Sequence, residues 1–284
     1  MTHRTLIDVA TLHEHFERDD WRVLDCRFVL ADPDEGRRTH AAATIPGAAH
    51  VDLDADLSGP IVPGTTGRHP LPTREAFVAT LGRLGIDGGT QVVAFDDRGG
   101  IFAARLWWMM RWVGHEAVAV LDGGLPAWVA AGHALAPGQG ATTTTTFVPS
   151  PSTVGVVSAA HVHDGLADAS VVLLDARSAP RFRGENESTD PVAGHIPGAR
   201  SAPCMDNLGA EARFKSASEL ATRFGDLLGA ADPTRAIAYC GSGVTACHDL
   251  LAMAHAGMPL PRLFPGSWSE WITDRSRPVA TGDG

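Results

Sequence analysis

The sequence predicts an α/β protein made of two similar domains, each a mainly parallel β-sheet with helices on both faces. Three observations lead to this prediction. Short apolar runs alternate with segments of helical spacing along the chain, which is typical of a parallel sheet covered by helices. The length of 284 residues suits two domains of ordinary size. The two halves also share three motifs in the same order, which indicates a duplicated domain.

The shared motifs lie at corresponding points of the two halves. The pairs are Val23–Arg27 with Leu173–Arg177, Ile45–Ala48 with Ile196–Ala199, and Gly123–Trp128 with Gly266–Trp271. Chance can supply one such match, but three in the same order argue for duplication. Because ligands of parallel α/β sheets bind at the carboxyl ends of the strands, we expect the functional groups there.

The elements of the first half follow from apolar runs for strands and from apolar residues three or four apart for helices. Leu6, Val9 and Leu12 have the helical spacing, and Pro72-Thr73 is a helix start signal. The predicted strands are Trp21–Asp25, Gln91–Phe95 and Val118–Leu121, with a short strand or turn at Ala49–Leu53, and the predicted helices are 5–18, Arg74–Leu84, Ile101–Val113 and a short one from Gly123.

The second half repeats this order of elements. Ser158 has the side chain of an N-cap and predicts a helix that extends to Leu166. The other predicted elements are the strands Val171–Asp175, Ala236–Tyr239 and Leu263–Phe264 and the helices Ser218–Leu228, Val244–Ala256 and a short one from Gly266. In both halves we expect a polar loop before the Ile-Pro-Gly-Ala motif.

The composition argues against two classes of partner. The formal net charge is −10, so the chain is a poor candidate for binding the phosphate backbone of nucleic acids. The N-terminal residues lack the apolar core of a signal peptide. No apolar run approaches the roughly 20 residues that a membrane span needs. We therefore expect a cytoplasmic protein that binds neither nucleic acid nor membrane.

The chain has four cysteines, namely Cys26, Cys204, Cys240 and Cys247. None belongs to a CxxC pair, which argues against a zinc site. In a reducing cytosol all four are expected to be free thiols. Cys26 is interpreted as buried core. Cys247 is either a core thiol or a redox partner of Cys240, and the sequence leaves both interpretations open.

Cys240 has the sequence context of a reactive thiol. It directly follows the predicted strand Ala236–Tyr239, and glycines at 241 and 243 allow a tight loop before the next helix. Such a loop aims backbone N–H groups at one sulfur, and the helix dipole favours a thiolate. A cysteine phosphatase needs arginine six residues after the cysteine, where this chain has Ala246. In the first half Asp96 occupies the position that corresponds to the cysteine.

These residues resemble the tandem-domain, rhodanese-type sulfurtransferases. The resemblance rests on the duplicated α/β unit, the first copy without a cysteine, and Cys240-Gly-Ser-Gly-Val-Thr245 in the second copy. It implies a non-catalytic rhodanese-like domain at 1–140, a linker at 141–153 and a catalytic rhodanese-like domain at 154–284. The loop resembles that of 3-mercaptopyruvate sulfurtransferases, whereas thiosulfate sulfurtransferases typically carry basic residues after the cysteine.

The resemblance also implies roles for particular residues. Cys240 is the expected nucleophile, which carries the transferred sulfur as a persulfide. The backbone N–H groups of the loop are expected to stabilise that anion, and they belong to Gly241, Ser242, Gly243, Val244 and Thr245. Ser242, His69 and Asp54 are expected to form a Ser-His-Asp arrangement.

The donor site is expected to contain Arg181, which matches the first of two arginines that bind the substrate in mercaptopyruvate enzymes. The second arginine is expected within 185–190, where the chain has none. The resemblance implies a small-molecule sulfur donor, an acceptor such as thioredoxin, another thiol or cyanide, and no cofactor or metal. Two alternatives remain at this point: a thiosulfate sulfurtransferase, and a sulfur-carrier or interaction module without efficient turnover.

Overall fold

The computed structural model describes residues 2–139, 143–168 and 170–283. The first two residues of the predicted linker, 141 and 142, therefore lie outside the described residues. The chain forms two compact units. Unit 1 comprises Met1–Gly59, Pro72–Thr153 and Ala210–Phe214, and unit 2 comprises Pro60–Leu71, Val154–Gly209 and Lys215–Gly284. The domain boundaries at 140 and 154 stay a prediction.

Unit 1 contains a five-stranded, wholly parallel sheet in the order β1-β5-β4-β2-β3. The strands are β1 (Leu6–Ile7), β2 (Trp21–Asp25), β3 (Ala49–His50), β4 (Gln91–Phe95) and β5 (Val118–Leu121). The helices are α1 (Val9–His15), α2 (Glu35–Ala42), α3 (Arg74–Arg83), α4 (Ala103–Trp112) and α5 (Gly124–Ala130). All five residues of β4 are buried. Because successive side chains point to opposite faces, both faces of the sheet are covered.

Unit 2 contains a four-stranded parallel sheet in the order β7-β6-β8-β9. Its strands are β6 (Leu173–Asp175), β7 (Ala199–Ser201), β8 (Ile237–Tyr239) and β9 (Arg262–Leu263). Its helices are α6 (Ala159–Asp164), α7 (Ala179–Arg183), α8 (Ala217–Leu228), α9 (Ala246–His255) and α10 (Ser267–Trp271). Short 3-10 turns occur in unit 2 at Gly165–Ala167, Cys204–Asn207 and Pro233–Arg235, and another at Ala210–Ala212 belongs to unit 1. The α/β class and the parallel sheets predicted from the sequence are confirmed.

Three local predictions were wrong. Leu6 belongs to a strand, where it pairs with Val120 of β5, and α1 begins only at Val9. Asp8 separates the two elements, because its side chain caps the helix by accepting from the N–H of Thr11 at 2.7 Å. The polar loops before the two Ile-Pro-Gly-Ala motifs contain the helices α2 and α7.

The same ion pair follows the corresponding strand in each unit. Arg27 Nη2 donates to Asp25 Oδ2 at 2.6 Å after β2, and Arg177 Nη2 donates to Asp175 Oδ2 at 2.6 Å after β6. All four side chains are buried. The arginines also donate to the carbonyl groups of Ala43 and Gly194 at 2.8 and 2.7 Å, which holds the start of each following loop. The structural repeat thus extends to individual contacts.

No helix within the described ranges is long and apolar enough to cross a membrane.

Candidate active site

Cys240 lies at the carboxyl end of β8, in the loop that leads to α9, as the sequence predicts. Its side chain is 1% exposed. The N–H of Gly243 points at the sulfur, with a nitrogen–sulfur distance of 3.1 Å. This contact is a backbone donor to the sulfur, as the loop composition predicts.

Gly243 is required by the shape of this loop. Its φ is +77°, a conformation that residues with a side chain rarely adopt. A Cβ placed on it would stand 2.2 Å from the carbonyl oxygen of Pro265, which is closer than atoms can approach. Glycine at this position therefore lets the loop curl against the chain before α10 and brings its own N–H to the sulfur.

Ser267 is hydrogen bonded to the backbone of Cys240. This residue was not identified from the sequence. It is fully buried, and its φ is +53°, which is strained for a residue other than glycine. Its Oγ accepts from the N–H of Cys240 at 3.0 Å, donates to the carbonyl of Phe264 at 3.0 Å and lies 4.0 Å from the sulfur. The corresponding residue of the first repeat is Gly124, whose φ is +57°. Comparing the repeats could have revealed a serine where this backbone favours glycine.

Ser242 and His69 form a buried hydrogen bond within unit 2. The Ser242 Oγ and His69 Nδ1 atoms are 2.7 Å apart, although 173 positions separate the residues in sequence. Asp54 lies in unit 1, in the turn after β3, where its N–H donates to Asp52 Oδ1 at 2.9 Å. Partial burial and the charge of Asp52 raise the pKa of Asp54. The pairing of Asp54 with His69 stays a prediction.

The remaining residues of the predicted loop contribute backbone contacts. The Gly241 carbonyl accepts from the N–H of Ser269 at 2.9 Å, which ties the loop to α10. The carbonyl groups of Val244 and Thr245 accept from Cys247 and His248 at 3.0 and 3.1 Å and so start the first turn of α9. Among the loop amides, the structure brings that of Gly243 to the sulfur.

Arg181 lies in α7, beside the cysteine loop. Its guanidinium donates to Glu187 Oε2 at 3.0 Å and to Asp190 Oδ2 at 2.8 Å. Arg68 donates to the other oxygen of Asp190. The segment 185–190 thus supplies carboxylates where a second arginine was expected, and an arginine from the segment before His69 lies there instead. The sequence signal for Arg68 was its position next to a predicted site residue.

Arg177 is a buried cation of unit 2. Burial disfavours the charge of Arg177, but attraction to Asp175 and, to a smaller extent, to Tyr239 and Cys240 outweighs this and raises the pKa of Arg177.

Two other cysteines are poorly suited to react. Burial, with nearby carboxylates, raises the pKa of the Cys26 and Cys204 thiols. The buried interpretation of Cys26 is confirmed. Cys247 is also buried and donates to the carbonyl of Gly243 at 3.3 Å. Within the described part of the chain, no cluster of three potential metal-ligating side chains is found.

In the first copy of this loop, Asp96 occupies the position of the cysteine and accepts hydrogen bonds from the loop backbone. Its Oδ1 accepts from the N–H groups of Arg98 and Gly100 at 2.9 and 2.8 Å, and its Oδ2 accepts from those of Phe102 and Ala103 at 2.8 and 3.1 Å. A buried carboxylate that accepts from four backbone N–H groups thus stands in unit 1 at the position that corresponds to Cys240. This geometry agrees with the expectation that unit 1 is non-catalytic, which stays a prediction.

A second buried polar cluster lies behind the loop, on α9. Asn207 Nδ2 lies 2.7 Å from Asp249 Oδ1 and 3.1 Å from His248 Nδ1. Asp249 Oδ2 is buried without a hydrogen-bond partner among the residues that the structure describes. Burial, only partly offset by Arg223 and Asn207, raises the pKa of Asp249 to about 7.

Replacing Asp249 by asparagine should therefore stabilise the protein at alkaline pH relative to the wild type. The carboxyl of Asp249 has a pKa of about 7 in the folded protein and an ordinary value of 3.8. The folded state therefore binds this proton more tightly than the unfolded state, and the protonated carboxyl favours folding. The stability that it contributes is present at low pH, is lost as the pH rises from about 4 to 7, and stays lost above that. Urea denaturation should show the variant gaining roughly 2–3 kcal/mol on the wild type between pH 5 and pH 8. A pH-independent difference between the two proteins would contradict this.

Comparison with known proteins agrees with this geometry. The family model of the rhodanese-like domain matches residues 8–131 and 158–274. A Pseudomonas aeruginosa protein named "probable 3-mercaptopyruvate sulfurtransferase" is 49% identical over 284 residues, which is all of both chains. The human 3-mercaptopyruvate sulfurtransferase is 36% identical over 86% of this chain and 82% of its own.

A solved structure of a similar protein has the same fold. The crystal structure of SseA from Escherichia coli, described among 3-mercaptopyruvate sulfotransferases, superposes with a TM-score of 0.81 and 31% identity over 94% of this chain and all of SseA. The duplication, the cysteine loop and these similarities confirm the family that the sequence predicts. The chain is a sulfurtransferase of the rhodanese family, with two rhodanese-like domains.

Proposed function

We propose that the protein transfers sulfur from 3-mercaptopyruvate, through a persulfide on Cys240, to a thiol acceptor. The observation that carries this proposal is the loop after the cysteine. Gly241 and Ser242 provide no cation beside the sulfur, and Ser242 is instead hydrogen bonded to His69. A doubly charged thiosulfate favours cations next to the attacked sulfur, whereas the carboxylate of 3-mercaptopyruvate lies further away. The names of the bacterial and human relatives point to the same donor.

The first step is attack by the Cys240 thiolate on the sulfur of 3-mercaptopyruvate. A sulfur–sulfur bond forms, and the carbon–sulfur bond of the donor breaks. The electron pair of that bond goes to the carbon as the enolate of pyruvate. The enolate takes up a proton equivalent to the one that the donor thiol loses, so pyruvate leaves and Cys240 keeps an anionic persulfide. One difficult transfer is thereby divided into two easier steps.

The surrounding groups would each assist one part of this step. Ser242 and His69, oriented by Asp54, would carry the proton from the donor sulfur to the departing enolate. The N–H of Gly243 and the other amides of the loop would stabilise the persulfide anion. Arg181 would bind the carboxylate of the donor.

The second step returns the enzyme to its starting form. The acceptor, a thiolate or cyanide, attacks the outer sulfur of the persulfide, and Cys240 leaves as a thiolate. Thioredoxin, a small thiol or cyanide can act as this nucleophile, and we place the reaction in the cytoplasm. The chemistry needs no metal or organic cofactor, because in each step the nucleophile supplies the electron pair of the new bond and the leaving group keeps that of the broken bond.

The test compares kcat/KM for 3-mercaptopyruvate and for thiosulfate in the wild type and in Ser242→Ala. We expect 3-mercaptopyruvate to be the better donor. The variant should lose roughly 10²-fold or more with 3-mercaptopyruvate, because its enolate needs a proton. It should lose much less with thiosulfate, because sulfite leaves without one.

Ser218→Ala is the matched control, since Ser218 is an exposed serine of α8 in the same unit. It should leave both donors unaffected. Efficient turnover of thiosulfate alone would assign the protein to thiosulfate sulfurtransfer. Failure to turn over either donor would leave a sulfur-carrier module and reject the proposal.

A further inference from the structure

In each unit the short last helix is followed by an extended segment, which we name the strap. The strap of unit 1 is residues 134–138, after α5, and the strap of unit 2 is residues 278–282, after α10. The indole N–H of the tryptophan in the preceding helix fastens the first residue of each strap. These hydrogen bonds run from Trp128 Nε1 to the Ala134 carbonyl at 3.0 Å and from Trp271 Nε1 to the Pro278 carbonyl at 2.9 Å.

Each strap also pairs with the residue before the Ile-Pro-Gly-Ala motif of its own unit. In unit 1, Ala136 and Thr44 exchange two backbone hydrogen bonds, at 3.0 and 2.8 Å. In unit 2, Ala280 and His195 exchange the same two bonds, at 2.9 and 2.8 Å. The strap is therefore part of the duplicated fold, and the copy in unit 1 offers a matched control for the copy in unit 2.

The strap of unit 2 lies against both ends of the loop that follows α7, residues 185–193. Gly184 and Gly194 flank this loop. A Cβ placed on Gly194 would stand 2.3 Å from the Ala280 carbonyl oxygen, and one placed on Gly184 would stand 3.0 Å from Thr281 Cγ2. Glycine at both positions thus lets the strap approach the backbone at the two ends of the loop.

The same strap fixes α7 itself. The N–H of Gly282 donates to the carbonyl of Arg183, the last residue of α7, at 3.0 Å. His195, the partner of the strap, donates from Nδ1 to the Phe182 carbonyl at 2.7 Å, and its ring stacks on that of Phe182 at 3.8 Å between centroids. Because a helix of five residues is not stable by itself, contacts of this kind decide where α7 lies.

The elements that the strap holds carry Arg181 and the two carboxylates that orient it. Arg181 lies in α7, and its guanidinium donates to Glu187 and Asp190 of the following loop, at 3.0 and 2.8 Å. The side chains of both acids are buried. Arg181 Nη1 lies so near the cysteine loop that a Cβ on Gly241 would be 3.6 Å from it. A shift of α7 or of its loop would therefore move this guanidinium.

From these contacts we infer that the strap of unit 2 is a positioning segment of the donor site, which acts through Arg181. It holds α7 and both ends of the loop in one arrangement, so the guanidinium is in place before the donor binds and little ordering is needed on binding. The inference deepens the proposed function and rests on it for the role of Arg181. The strap of unit 1 makes the corresponding backbone contacts and should affect stability alone.

The experiment compares Ala280→Pro with its matched control Ala136→Pro. Each substitution removes one strap N–H that donates to the facing carbonyl, so urea denaturation should show a similar loss of stability in both. We expect Ala280→Pro to raise KM for 3-mercaptopyruvate about 3–10-fold, with kcat changed less than about twofold. Binding of pyruvate, which carries the same carboxylate and no transferable sulfur, should weaken equally in an NMR titration. Ala136→Pro should leave KM and pyruvate binding unchanged.

A double-mutant cycle with Arg181→Gln tests whether the strap acts through Arg181. If it does, Ala280→Pro should raise KM less than about twofold in the Arg181→Gln background, because the interaction that it disturbs is already absent. Full multiplication of the two single effects would overturn the inference. Equal effects of Ala280→Pro and Ala136→Pro on KM would also overturn it, because they would reduce the strap to a purely structural role.

A second pair of variants serves if Ala280→Pro does not fold. Gly282→Pro removes the donor to the Arg183 carbonyl and keeps the pairing of Ala280 with His195, and Gly138→Pro removes the corresponding donor to the His40 carbonyl in unit 1. The first should again raise KM, and the second should not. An unchanged KM in Gly282→Pro would then overturn the inference.

Failure of the proposed function would look different, because the wild type itself would not turn over 3-mercaptopyruvate. The pyruvate titration would still decide the role of the strap in that case. Weaker binding in Ala280→Pro than in Ala136→Pro would support it, and equal binding in the two variants, or none in the wild type, would overturn it.

Discussion

Replacing Cys240 by serine should reduce the rate of sulfur transfer by at least about 10⁴-fold with any donor. Serine is nearly the same size, so the loop should keep its shape. Its hydroxyl, however, cannot form a persulfide, and the N–H of Gly243, 3.1 Å from the sulfur in the wild type, would face an uncharged group. The measurement is the intact mass after incubation with 3-mercaptopyruvate, which should show one added sulfur in the wild type and none in the variant.

Cys247→Ser provides the comparison on the same helix. Cys247 donates to the Gly243 carbonyl at 3.3 Å, and a serine hydroxyl can make the same contact. This variant should still gain one sulfur, and Cys240→Ser should not. A sulfur adduct that survives in Cys240→Ser would place the nucleophile elsewhere, and its loss in Cys247→Ser would reveal the redox role that the sequence left open.

The prediction that Cys240 is the nucleophile rests on local signals. Eight residues contain a buried strand, the cysteine and two glycines. The duplication independently aligns Cys240 with Asp96 of the first half. The repeat of strands and helices predicted both parallel sheets for the same reason, since periodicity is a property of neighbouring residues. The pairing of Ser242 with His69 came from family resemblance and is present in the structure.

Other parts of the site depend on contacts between distant positions. Arg68 and Asp190 are 122 positions apart, and no periodicity links them. Ser267 supports Cys240 through a backbone conformation that serine rarely adopts, so residue preferences argue against its observed position. Leu6 was assigned to a helix because its spacing from Val9 is helical, but pairing with β5 decided its conformation. Tertiary contacts overrode local preference in each case.

Replacing Gly243 by alanine tests the shape of the cysteine loop and should have the second-largest effect. The new Cβ would meet the Pro265 carbonyl oxygen at 2.2 Å, and φ is +77°. Left-handed backbone alone costs about 1–2 kcal/mol for a residue with a side chain. The contact with a backbone oxygen cannot be relieved by a side-chain rotation, so the loop must move. Moving it displaces the N–H that faces the sulfur, and loss of one such donor typically costs about 10²–10³-fold in kcat.

Gly225→Ala is the matched control for this prediction. Gly225 lies within α8, and a Cβ there meets nothing within 4 Å. That variant should gain roughly 0.5–1 kcal/mol in stability with unchanged turnover, because alanine is the better helix former. Single-turnover persulfide formation and urea denaturation should be measured on both proteins. If Gly243→Ala were folded and formed the persulfide at the wild-type rate, the loop amide would not stabilise the sulfur anion. The stabilisation of that anion would then fall to other groups, such as the Ser267 hydroxyl, which lies 4.0 Å from the sulfur.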